Sequence, residues 1–194
     1  YDRSNIIYVF VGLFLLMLWI IGGKKGFKSA IGLMFTFICI IYLFLPMLYR
    51  GYSPFLSAVV VIILITIVSL YLIDGISKKS ISAMIGTITG VIISGVCAAG
   101  FGNIAKISGY NVAEVEELVF ISNNTNLKVG GILFAAILIA SLGAVMDVSM
   151  SIASAMTEIY SHNNNIGKKD LFKSGINVGR DMMGTMTNTL IFAY

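Results

Sequence analysis

Charge is scarce in this chain of 194 residues: Asp, Glu, Lys and Arg together make up 11%, less than half of the roughly 25% found in an average soluble domain. So few charged side chains cannot cover a water-facing surface, which excludes a soluble globular domain. Two prolines and 20 glycines, in a chain that is 58% apolar with a mean hydropathy of +0.95, exclude collagen and disorder as well. The only cysteines, Cys39 and Cys97, lie in apolar runs, where packing is the expected role rather than a disulfide. The lone histidine, His162, stands in the polar stretch from Ser161 to Asn165, where a solvated side chain is expected and not a metal ligand. HExxH, GxSxG and phosphate-loop patterns are missing, so neither an enzyme nor a cofactor is expected. With a net charge of +4, the question is on which side of a membrane the charges lie, and no nucleic-acid partner is expected. The first partner is the lipid bilayer.

What the sequence has is long charge-free stretches. A hydrocarbon core about 30 Å thick takes about 20 helical residues. Residues 4–23, 29–49, 52–73 and 80–102 fit that length. Residues 130–157 form a fifth span with a single charge, Asp147, and residues 176–194 a sixth. In lipid, only helices or closed barrels satisfy the backbone, and none of these stretches alternates as a barrel strand does. The expected fold is an all-α, polytopic bundle of at least six helices forming one transmembrane domain over residues 1–194.

Lys and Arg set the orientation. The first, third and fifth connections carry Lys24, Lys25 and Lys28, then Lys78 and Lys79, then Lys168, Lys169 and Lys173. The alternate side carries only Arg3, Arg50, Lys106 and Lys128. Eight against four predicts the N-terminus outside and the Lys-rich connections in the cytoplasm. The chain opens at Tyr1, and its last apolar stretch stops at Tyr194, 13 residues after Asp181. It therefore reads as a piece of a longer protein with an upstream span and extracytoplasmic segment. The connection over residues 103–128 is expected outside, with an interfacial helix capped by Asn111, acidic at Glu114, Glu116 and Glu117, and apolar along Val112, Val115, Leu118 and Val119.

Small residues mark helix contacts. Gly86 and Gly90 in the fourth span, and Gly143 with Ala140, Ala144, Ser151, Ser154 and Ala155 in the fifth, predict close backbone approach. Packing within the bundle is the favoured outcome, with a partner membrane protein or a second copy as the other. Asp147 sits in the middle of that small-residue face, so it is expected to point at another helix.

A carboxylate at membrane depth costs at least a few kcal/mol and is a functional candidate by default. Its predicted partner is Arg180. A turn centred near Asn165 puts the two residues within about 4.5 Å along the helix axes. Asn177, Thr185, Thr187 and Asn188 surround Arg180 as a polar face that could line a path. Two functions follow. In one, Asp147 takes up a proton that Arg180 tunes, in a transport or export component; in the other, the pair is a static clamp in a membrane scaffold or assembly factor. Intramembrane aspartyl chemistry needs two facing carboxylates, and only Asp147 lies within a span, with Asp74 at the end of another.

The stretches Leu142-Gly-Ala-Val-Met-Asp147-Val-Ser-Met-Ser-Ile-Ala-Ser-Ala155 and Leu171-Phe-Lys-Ser-Gly-Ile-Asn-Val-Gly-Arg180-Asp-Met-Met-Gly-Thr-Met-Thr-Asn-Thr-Leu190 resemble the signature stretches of the YibE/F family of bacterial multi-pass membrane proteins. Lys24-Lys-Gly26, Gly51-Tyr-Ser-Pro54 and Lys78-Lys-Ser80 fit as well. The resemblance implies a bacterial plasma-membrane protein with an upstream helix, an extracytoplasmic domain and further helices; the family has no settled activity. The Asp147 helix followed by Ser174, Arg180, Thr185, Thr187 and Thr189 also resembles the Asp and Arg helices of SecF and related proton-driven exporters. There such a pair is linked to proton movement, although the Ser-to-Arg spacing differs by one and a second Asp is missing here.

Overall fold

The computed structural model describes residues 3–104, Val119 and residues 129–193. They form α1 (Arg3–Cys39), a π-helical turn (Ile40–Phe44), α2 (Leu45–Tyr49), α3 (Pro54–Asp74), α4 (Lys78–Ile104), α5 (Val129–His162) and α6 (Lys168–Ala193). No strand occurs among the described residues, so the all-α expectation holds. The predicted interfacial helix, with Asn111, Glu114, Glu116 and Glu117, lies outside the described residues.

The first two predicted spans run together. Lys24, Lys25 and Lys28, expected in a loop, are helical, and the chain turns at one residue, Gly23, with φ 52° and ψ −134°. Only glycine enters that region readily. The limbs on either side close on each other. A Cβ on Gly26 would overlap the Leu18 carbonyl oxygen, and Leu15 and Trp19 line one apolar groove with Phe27, Ile31 and Met34. A second irregularity has its cause in Pro46. A proline lacks the N–H that would bond Tyr42 and crowds that carbonyl. The ladder widens just before it, where the Leu45 N–H donates to Ile40 O, five residues back.

Helix directions follow from close approaches. A Cβ at Gly86 would lie 3.6 Å from Ser149 Oγ, one at Gly90 3.4 Å from Val145 Cγ1, and one at Gly95 3.4 Å from Leu138 Cδ1. Each step up α4 is a step down α5, so the two are antiparallel. Gly32 meets Ser69 and Lys25 meets Asp74, which makes the second limb of α1 antiparallel to α3. Gly131 meets Pro54 and Phe134 stacks on Phe55 with centroids 6.0 Å apart, so α3 and α5 run parallel. The connections bearing Lys24–Lys28, Lys78–Lys79 and Lys168–Lys173 consequently gather at one end of the bundle. Tyr49 to Pro54 and Val129 mark the other.

The core centres on α3, where Ala58, Val61, Ile62 and Ile65 are fully or almost fully buried against Leu48, Val91, Ile132 and Ala135. The rest of the surface is strongly apolar: Ile20, Ile21, Tyr42, Ile85, Val96 and Phe101 are all exposed. In water such a patchwork would aggregate, whereas in lipid it is solvated.

Among the described residues, four helices are long and apolar enough to cross a membrane: residues Ile7–Tyr49, which contain the Gly23 turn, Pro54–Asp74, Lys78–Gly102 and Val129–His162. The sixth predicted span is not among them. Helix α6 is two-faced instead, with Gly175 buried, Val178, Gly179 and Met182 half-buried, and Asn177, Arg180, Asp181 and Thr185 exposed.

Candidate functional site

Helix α6 folds back on α5 through the turn from Asn163 to Gly167, where the Asn165 N–H donates to Asn163 Oδ1 at 3.2 Å. Two glycines seat it. A Cβ at Gly175 would lie 2.8 Å from Met156 Sδ, and one at Gly179 3.2 Å from Ile152 Cδ1. Four residues forward on α6 match four back on α5, so the same register puts Arg180 level with Ser151 and Asp147 level with Gly184. The two charges differ in depth by four residues, about 6 Å.

They do not pair. Ion pairs among the described residues join Lys25 and Lys79 to Asp74, and His162 Nδ1 lies 3.5 Å from Glu158 Oε1; neither Asp147 nor Arg180 takes part in such a contact. Helix geometry accounts for the separation. Each Cα–Cβ bond tilts toward its own helix N-terminus, so in an antiparallel pair with this stagger the two side chains lean apart. Both are also exposed, off the face through which α5 and α6 meet.

The small-residue face of α5 is split, with Ala144, Ser154 and Ala155 half-buried. Asp147, Gly143, Ala140 and Ser151 are exposed, and nothing lies within 4 Å of a Cβ built on Gly143. Two residues, about 200° of helix rotation, separate Asp147 from Ser149, which meets α4. Helix α5 presents Leu138, Val145 and Ser149 to Gly95, Gly90 and Gly86 of α4. Gly90 thus faces a branched side chain, Val145, whereas Gly86 faces the small side chain of Ser149.

Asn177, Thr185, Thr187 and Asn188 are exposed along with Arg180. The hydroxyls are already engaged: Thr185 donates to Met182 O at 3.0 Å, Thr187 to Met183 O at 2.6 Å and Thr189 to Thr185 O at 3.5 Å. Their lone pairs remain free to accept. The arrangement is a strip of polar side chains, Asp147 on α5 with Asn177, Arg180, Thr185, Thr187 and Asn188 on α6, interspersed with exposed Ile176, Met183 and Ile191.

Sequence reasoning passed over Asp74. Its carboxylate, with 10% of the side chain exposed, takes Lys79 Nζ on Oδ2 at 3.1 Å and Lys25 Nζ on Oδ1 at 3.4 Å. Asp74 ends α3, where the helix dipole disfavours a negative charge, so two cations offset that position. Around it, Ser77 Oγ accepts from the Ser80 N–H at 3.0 Å and Ser80 Oγ donates to Leu70 O at 3.4 Å. The signal was in the sequence: one acid closing an apolar run, with lysines in the two connections assigned to its side. No group of three or more metal-ligating side chains occurs among the described residues.

No curated protein and no solved structure matches the chain. The model of the YibE/F-like protein family matches residues 10–194. That stretch takes in every helix from the third turn of α1 onward, the Asp74 cluster and the polar strip. The chain therefore belongs to the YibE/F-like protein family.

Proposed function

We propose that this chain is the multi-pass membrane core of a proton-coupled transport or export system in the bacterial plasma membrane. Asp147 accepts the proton, Arg180 sets its electrostatic surroundings, and Asn177, Thr185, Thr187 and Asn188 border the hydrated surface. The supporting observation is the exposure of Asp147 beside the polar face of α6, with no cation paired to it among the described residues. A carboxylate at that depth is costly against lipid, which favours water or a protein partner there over acyl chains. The alternative, a membrane scaffold or assembly factor, needs a fixed Asp147–Arg180 clamp, and no ion pair among the described residues joins the two.

In this reading the N-terminus is outside and the chain crosses six times, with the two limbs of α1 counted as two crossings and α6 as the last. The Lys-rich end of the bundle faces the cytoplasm, where Lys and Arg collect. An upstream extracytoplasmic domain and a partner membrane protein or second copy complete the assembly.

The experiment is proton flux in proteoliposomes holding the full-length protein, with and without Asp147→Asn. The variant should insert normally and lose pH-driven flux. Flux equal to that of the wild type would remove Asp147 from the mechanism.

A further inference from the structure

A groove of about 400 Å³ opens at the Lys-rich end, lined by Lys28 on the second limb of α1, Tyr71 and Leu72 in the last turn of α3, and Gly75 and Ile76 in the turn that follows. We propose that it binds the headgroup of an anionic phospholipid, with the phosphate at Lys28 and the upper acyl chain along Tyr71, Leu72 and Ile76. The assignment depends on the membrane location and not on a transport role for Asp147.

Charge supplies the first argument. Of the lysines around the groove, Lys25 and Lys79 are held by Asp74. Lys28 is exposed and belongs to no ion pair among the described residues. The groove therefore presents one uncompensated cation, in a region where Asp74 already carries two. Shape and polarity supply the second. Ile76 is 80% exposed and Tyr71 53% exposed, an apolar side chain and an amphipathic ring beside a cation at the bundle end. Water solvates that combination poorly, whereas the boundary between headgroups and acyl chains suits both halves of it. Basic pockets between membrane helices match phospholipid headgroups in chemistry. A free phosphate would use Lys28 and leave Tyr71 and Ile76 uncovered.

The test uses the purified chain in a neutral detergent, titrated separately with phosphatidylglycerol, phosphatidylcholine and inorganic phosphate, with bound lipid counted by native mass spectrometry. Phosphatidylglycerol should bind more tightly than phosphatidylcholine. Lys28→Gln, which removes the charge and leaves a polar side chain, should weaken it about fivefold. Lys168→Gln removes the same charge outside the groove and should leave binding unchanged. As a readout that needs no variant, bound phosphatidylglycerol should protect Lys28 from an amine-modifying reagent more than it protects Lys168. Equal loss in the two variants, or equal protection of the two lysines, would replace the site by a diffuse basic field. Equal binding of the two lipids, or protection of Lys28 by inorganic phosphate alone, would also overturn the assignment.

Discussion

Lys79 reaches back across the α3–α4 turn to Asp74, Nζ to Oδ2 at 3.1 Å, and leaves Oδ1 for Lys25 from the turn region of α1. One carboxylate thus ties three helices together at the Lys-rich end. The two cations are not equivalent, because the Lys79 side chain is 25% exposed and that of Lys25 is 75% exposed.

Removing the carboxylate should therefore cost more than removing the outer cation. Asp74→Asn is expected to destabilise the folded bundle by about 1.5–3 kcal/mol, the range for a hydrogen bond to a charged group. Lys79→Met should approach that figure, since it leaves Asp74 largely buried with its weaker partner. Lys25→Ala should cost less than about 1 kcal/mol, as solvent and salt screen an exposed pair. Thermal unfolding of the three variants in detergent ranks them; a larger loss for Lys25→Ala than for Lys79→Met would reverse the assignment.

The turn within α1 depends on two glycines for different reasons. Gly23 needs its positive φ, and Gly26 needs the absence of a side chain, because a Cβ there meets the backbone carbonyl of Leu18. A carbonyl in a helix cannot swing aside as a side-chain tip can. Gly26→Ala should therefore cost about 1–3 kcal/mol, toward the upper end of the overpacking range. At Gly22 nothing lies within 4 Å of a built Cβ, and Gly22→Ala should be neutral or mildly stabilising through helix propensity. Equal melting temperatures for the two variants would mean that the limbs do not close on each other.

The outcome at Gly26 bears on what was legible in the sequence. Charge-free runs of membrane length gave the helices, because the bilayer permits little else. The gathering of Lys24–Lys28, Lys78–Lys79 and Lys168–Lys173 at one end followed from counting alone. The side of each helix that meets a neighbour did not, since nearly every position of α5 is apolar or small and no stripe stands out by polarity. Gly143 and Leu142 are adjacent and equally acceptable to lipid, yet Leu142 is buried and Gly143 exposed. Asp147 was assigned to a contact on that ambiguous pattern. The depth match with Arg180 came within one residue of the observed register, while the rotation of each helix about its axis was unreadable without the packing.

Rotation can be checked by cross-linking. With Cys39 and Cys97 replaced by Ala, Ile152→Cys combined with Gly179→Cys should oxidise readily, because a Cβ at residue 179 already lies 3.2 Å from the Ile152 side chain. Asp147→Cys combined with Arg180→Cys should stay reduced under the same oxidant. Efficient cross-linking of the second pair would restore a direct Asp147–Arg180 contact and with it the clamp.

Thr66 and Thr87 offer a prediction of the opposite sign. Both are 0% exposed, and neither hydroxyl has a hydrogen-bond partner among the described residues. Thr66 lies one turn before Leu70 on α3 and Thr87 one turn beyond Ala83 on α4, and Leu70 and Ala83 pack in one cluster. An unsatisfied buried hydroxyl carries its desolvation penalty without return, about 1–3 kcal/mol. Valine fills nearly the same volume without that penalty, so Thr66→Val and Thr87→Val should each leave the melting temperature unchanged or raise it. Ser80 is equally buried, but its hydroxyl donates to Leu70 O at 3.4 Å, and Ser80→Ala should lower stability by about 0.5–1.5 kcal/mol. The contrast separates buried hydroxyls that hold a partner from those that do not. If both valine variants melt lower than the wild type, the threonine hydroxyls are satisfied in the membrane, and water inside the α3–α4 interface becomes the first explanation to test.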